Sequence, residues 1–128
     1  MKANPAEWLP GVDLRLVVGF KKGESLLRRL GYSTDELSGD ALTILHPNKR
    51  TITVCVDKGR FVRRDAQYLS LLAHEASHVV DCWLAGIGEE EAASEERAYM
   101  IQSVMLALLE MDKKKRLGKP WKKTKKSA

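Results

Sequence analysis

Two of the three histidines in this 128-residue chain stand four residues apart, in the pentapeptide His74-Glu75-Ala76-Ser77-His78. Residues at that separation lie one above the other on a single face of an α-helix. Two imidazoles so placed can grip one zinc ion, and the carboxylate of Glu75, beside the first of them, can reach a metal-bound water. The pattern points to metal-assisted hydrolysis with Glu75 as general base. The bland alternative is a pair of helical histidines satisfied by local partners.

A catalytic zinc site needs a third protein ligand and leaves its fourth position to water. The acidic segment that begins at Glu89 is the natural source. At helical spacing Glu95 shares a face with Tyr99 and Gln102, and with Ala92, Met105 and Leu109, which turns it toward the core and the metal helix. Glu95 is therefore the expected third ligand and Glu91, one turn earlier, the fallback. A solvated acidic first turn, favoured by the helix dipole, accounts for most of Glu89 to Glu91. Cys82 extends the histidine row by one more turn but reads as a small buried apolar group. His46 falls in a turn and reads as an exposed loop residue.

The elements that must position these groups follow from local patterning. Residues 11–20 alternate Val12, Leu14, Leu16 and Val18 with polar or smaller residues, the period of a half-buried strand. Residues 24–30 form a short helical stretch that ends at Gly31, and 33–40 is rich in turn formers. Residues 41–45 and 51–56 are β-branched runs separated by His46-Pro47-Asn48-Lys49-Arg50, a hairpin with a five-residue connection. Asp57-Lys58-Gly59 closes the second strand. Asp65 caps a long helix from about Ala66 to Ala85, stopped at Gly86. A second long helix runs from near Glu89 to about Lys114. The expected fold class is α+β: a small domain whose three strands form one antiparallel-rich sheet with both long helices on one face.

A chain of 14.4 kDa supports one domain. Nine of the 22 basic residues and no acidic residue fall after Asp112, leaving a body with 13 basic against 17 acidic residues. The domain is thus expected to span 1–112 and a basic tail 113–128, either disordered or a fraying extension of the last helix. The tail is read two ways. It is a solubilising segment favoured at a helix C-terminus, or it is a contact through residues 113–126 with nucleic acid or an acidic protein surface, where Trp121 could stack on a base. No apolar run reaches the roughly 20 residues a membrane span needs. The N-terminus lacks a signal-peptide shape, and Cys55 and Cys82 make no disulfide framework, so the expected compartment is the cytoplasm with both thiols reduced.

The stretch HEASH, followed after a Gly-containing turn by Glu95-Glu96-Arg97-Ala98-Tyr99-Met100-Ile101-Gln102, resembles the gluzincin type of zinc peptidase. More closely it resembles the minimal HExxH zinc proteins of tailed phages and prophages, which pair such a helix with a later Glu-x-x-Ala-Tyr-x-Ile-Gln stretch. Trp8-Leu9-Pro10 is also similar to their N-terminal region. The resemblance implies a zincin-like fold, Zn2+ as cofactor, His74, His78 and Glu95 as its ligands, Glu75 as general base, and a peptide or protein as substrate. In the larger peptidases an aspartate four residues after the glutamate ligand orients a histidine; here that position is Tyr99. Asp81 or Gln102 could supply that hydrogen bond, and Tyr99 is the polar candidate for steadying an oxyanion. The strand at 51–56 is expected to hold an extended peptide by edge pairing. The rival from another class is a catalytically silent, zinc-stabilised phage structural or assembly protein whose basic tail contacts nucleic acid or an acidic partner.

Overall fold

A computed structural model describes residues 2–3, 9–37, 39–87 and 94–118. Its strands are β1 (Lys2–Ala3), β2 (Asp13–Val18), β3 (Ala41–Leu45) and β4 (Thr51–Val56); its helices are α1 (Phe20–Leu30), α2 (Lys58–Arg63), α3 (Ala66–Gly86) and α4 (Ser94–Gly118). A turn of 3-10 helix at Thr34–Glu36 interrupts the loop before β3, with Ser33 Oγ accepting from the Asp35 amide. The fold is α+β, as the patterning requires, and no helix among the described residues is long and apolar enough to cross a membrane.

The sheet runs in the order β1-β2-β4-β3. β4 pairs antiparallel with β3 through the five-residue connection and β1 pairs antiparallel with β2, while β2 and β4 run parallel, so the sheet is mixed with two of its three pairings antiparallel. β3 begins level with the end of β2, since Ala41 and Val18 both pair with Val56, and runs antiparallel to it, so the hairpin turns β4 parallel to β2. β4 is consequently central. All six of its residues are buried, and the expectation that it offers a free edge does not hold; β3 is the outer strand on that side.

Each strand separates two layers by its alternation. Leu14, Leu16, Ile52, Val54 and Val56 face α3 and α4, meeting Tyr68, Leu72, Ala76, Val79 and Val80 of α3 and Met100, Val104, Leu108 and Met111 of α4. On the opposite face Leu26 and Leu27 of α1 pack on Ile44, with Leu37 and Leu42 at the margin. The molecule is therefore a helix, a sheet and a helix pair in three layers.

Local chemistry explains most boundaries. Asp65 Oδ1 accepts from the Tyr68 amide, capping α3 where the sequence places the cap. Gly31 adopts φ 82° and ends α1 as a left-handed C-cap, a conformation with little cost for glycine. α1 begins at Phe20, earlier than the sequence suggests, and α2 is unforeseen. Asp57, read as closing β4, instead caps α2 by accepting from the Arg60 amide, and Phe61 anchors that turn in the core. Glu89 and Glu91 at the expected start of the second long helix lie outside the described residues.

The expected boundary after Asp112 falls inside α4, which continues through residues 113–118. Asp112 is fully buried and accepts from Tyr68 Oη, Arg64 Nε and Arg116. Arg116 also donates to the Phe61 carbonyl and lies 3.9 Å above the Phe61 ring. The first basic turn is thereby tied to the body by an acid four residues earlier. Residues 119–128 lie outside the described residues.

Candidate metal centre

α3 sets the histidines and Glu75 in different environments because each residue advances the helix by about 100°. Tyr68, Leu72, Ala76, Val79 and Val80 define its buried side. His74 and His78 fall on the far side and are exposed, while Glu75, one step round from His74, turns toward the sheet and is only 4% exposed.

The Nε2 atoms of His74 and His78 lie 3.1 Å apart, with their rings nearly perpendicular at 87°. Two nitrogens at that separation, each about 2.0–2.1 Å from a common zinc ion, would subtend roughly 100°, near the tetrahedral angle of about 109°. A carboxylate oxygen of Glu75 lies within 4.8 Å of a ring nitrogen of each histidine, and these three residues are the one such group among the described residues. The donor set, two imidazole nitrogens with a carboxylate beside them, could hold a metal ion.

The Glu75 carboxylate is held from the sheet. Thr43 Oγ1 on β3 donates to Glu75 Oε1 at 2.6 Å, and no buried side-chain polar atom among the described residues is left without a partner. Thr43 is the site residue that sequence reasoning missed. Its signal was nevertheless present: within Ala41, Thr43 and Leu45, the positions of β3 that face α3, it is the one polar side chain.

The structure does not bring Glu95 to this group. The side chain that the start of α4 lays against α3 is Arg97, whose Nη2 donates to Ser77 Oγ at 3.3 Å and pairs with Asp81 Oδ1 at 2.7 Å. Residues two apart on a helix point in nearly opposite directions, so Glu95 faces outward and is exposed. Tyr99 and Gln102 share that outward face, and the core-facing ridge is instead Met100, Val104, Leu108 and Met111. Asp81 is taken by Arg97. Glu91 lies outside the described residues.

Cys82 is half-buried against the main core, and its thiol is raised by burial and by Asp81; it is not part of the metal-type group. His46 departs from the exposed loop residue expected. It is 8% exposed, its Nε2 bonds Thr53 Oγ1 at 2.8 Å, and burial, reinforced by Arg15, lowers its pKa. The hairpin folds it inward onto the α1 side of the sheet, the face opposite α3, so it takes no part in the centre.

No family model matches this chain, and no curated protein or solved structure does. Functional assignment therefore rests on the geometry of His74, Glu75, His78 and Thr43 and on the chemistry those groups can perform.

Proposed function

We propose that this chain is a zincin-like zinc protein that hydrolyses a peptide bond, with His74 and His78 as two of the three protein ligands a catalytic zinc needs, Glu91 as the third, and Glu75 as general base. In this reading it resembles the minimal HExxH proteins of tailed phages and prophages. The observation that carries the proposal is the pair of Nε2 atoms 3.1 Å apart beside a carboxylate that is buried and held in place. When bound, zinc supplies Lewis acidity that polarises a carbonyl and makes a water acidic near neutral pH.

The protein's own groups divide the remaining work. Thr43 fixes one oxygen of Glu75, leaving Oε2 to receive a proton and to pass it to a leaving amine. Thr43 lies on β3, the outer strand among the described residues, and apart from the Leu45 carbonyl, which accepts from Tyr32 Oη, that strand's backbone edge can pair with an extended peptide beside the metal ligands. That edge replaces β4 in the binding role expected from the sequence.

A purely structural zinc would join separate elements of the fold and close its coordination with protein groups. Here both histidines come from the exposed side of a single helix, and Glu75 has no use in a closed structural site. These features favour hydrolysis.

The test measures metal content and cleavage of an unstructured protein substrate on the same samples. One zinc per chain is expected, lost in His74→Ala and His78→Ala. Glu75→Gln should retain the metal and lose cleavage, and Thr43→Val should retain the metal and lose roughly 10–100-fold in rate. A wild-type protein without zinc, or cleavage that survives Glu75→Gln, overturns the proposal.

A further inference from the structure

Tyr99, Leu106 and Leu117 are large apolar side chains on α4 that leave 44%, 59% and 64% of their surfaces open. Their separations of seven and eleven residues place them within about 20° of one line along the helix. The line lies opposite the buried ridge of Met100, Val104, Leu108 and Met111. Its two ends differ in charge. Glu95 and Glu96 stand at the N-terminal end and Lys113 and Lys114 at the C-terminal end, all exposed. Beside the C-terminal half a cleft of about 390 Å3 opens between α4 and Arg64, walled by Leu106, Leu109, Glu110, Lys113, Arg116 and Leu117, with the exposed Glu110 on the same line as the three apolar residues.

We propose that this face of α4 docks a second copy of the chain, antiparallel, with a two-fold axis passing at Leu106. A two-fold interface must be self-complementary, so whatever lies before the axis has to fit what lies after it. Tyr99 precedes Leu106 by seven residues and Lys113 follows by seven. Tyr99 of one copy therefore meets the cleft of the other, where the lysine stem covers the ring and the ammonium faces its π surface. Glu95 and Glu96 lie about 15–17 Å along the axis from Leu106, and Lys113 and Lys114 about 10–12 Å on the other side. In the antiparallel pair Glu95 and Glu96 come level with Leu117 and Arg116, about one turn from Lys113 and Lys114, so the opposite charges are within a side-chain's reach. A parallel pair would set the like-charged ends together, and that repulsion selects the antiparallel arrangement.

Sedimentation of the full chain across a concentration series tests this. Wild type should show a reversible monomer–dimer equilibrium, weakened as salt is raised. Leu106→Glu should shift the midpoint at least tenfold to higher concentration, with circular dichroism and melting unchanged because the side chain is on the surface. The double reversal Glu95→Lys with Glu96→Lys should weaken dimerisation about tenfold, and adding Lys113→Glu with Lys114→Glu should restore it. A wild type that stays monomeric to roughly 1 mM, a dimer indifferent to Leu106→Glu, or a charge reversal that the second reversal fails to rescue overturns the proposal. None of these residues belongs to the metal centre, so the result is independent of metal binding.

Discussion

Glu75 and its two histidine neighbours show how one turn of helix can place a carboxylate in the protein and its partners in water. The 4% exposure of Glu75 and its bond from Thr43 keep that carboxylate from turning out to solvent, whereas His74 and His78 are open to an incoming ion. Glu95, facing outward on α4, has no such placement. Glu95→Ala should accordingly change zinc affinity less than about threefold, against a loss of at least tenfold for either histidine, measured by competition with a chromogenic chelator. The two thiols also separate at this scale. Burial pushes the Cys55 thiol up to about 11, so it should stay unreactive toward an aromatic disulfide reagent until the protein unfolds. The reagent count in native and denatured protein checks this.

Two contacts join the elements, and each predicts a measurable cost. Gly23 in α1 lies against β4, and a Cβ there would come within 2.6 Å of Cys55 Sγ. The helix-propensity gain of Gly23→Ala, about 1 kcal/mol, is smaller than the overpacking penalty of roughly 1–3 kcal/mol. A net loss of about 1 kcal/mol is expected in urea unfolding. Asp112 ties α2, α3 and α4 together. Burial alone would raise its carboxyl, but hydrogen bonds from Arg116, Tyr68 and Arg64 outweigh that and hold it below the usual carboxylate value. The folded value is thus lower than the unfolded one, near 3.9. The stabilisation it provides is present in full above that pH and is lost as pH falls through the folded value. Asp112→Asn should cost about 2–4 kcal/mol at pH 7 and flatten the acid limb of the stability curve below about pH 4.

For the molecule as a whole, the core that unites the sheet with α3 and α4 involves neither His74 nor His78. Chelation should therefore leave the far-ultraviolet circular dichroism unchanged, and added zinc should stabilise the fold against unfolding only by the mass-action amount, about 2.7 kcal/mol at a hundredfold excess over Kd. A protein that unfolds on chelation would instead have a structural metal. The same scale decides the reach of β3. Because β4 is paired on both sides, the strand edge among the described residues that lies beside Thr43 and Glu75 is the outer edge of β3.

Periodicity and capping residues in the sequence were enough to define β2, the β3–β4 hairpin, the Asp65 cap and α3, because those signals act within a few residues of one another. The His74–His78 pair was legible for the same reason: its geometry is a property of one helix. α2 was not, since a Lys-Gly start carries little helical propensity and only the burial of Phe61 compensates for it. The rotation of α4 was not legible either. Its sequence offers apolar residues on more than one face, and packing against α3, with Arg97 rather than Glu95 on Ser77 and Asp81, chose among them. The inward turn of His46, the central position of β4 and the hold of Thr43 on Glu75 likewise depend on residues far apart in the chain. Local spacing determines which groups share a helix face or strand side; only the tertiary structure decides what each face meets, because that depends on how the elements pack together.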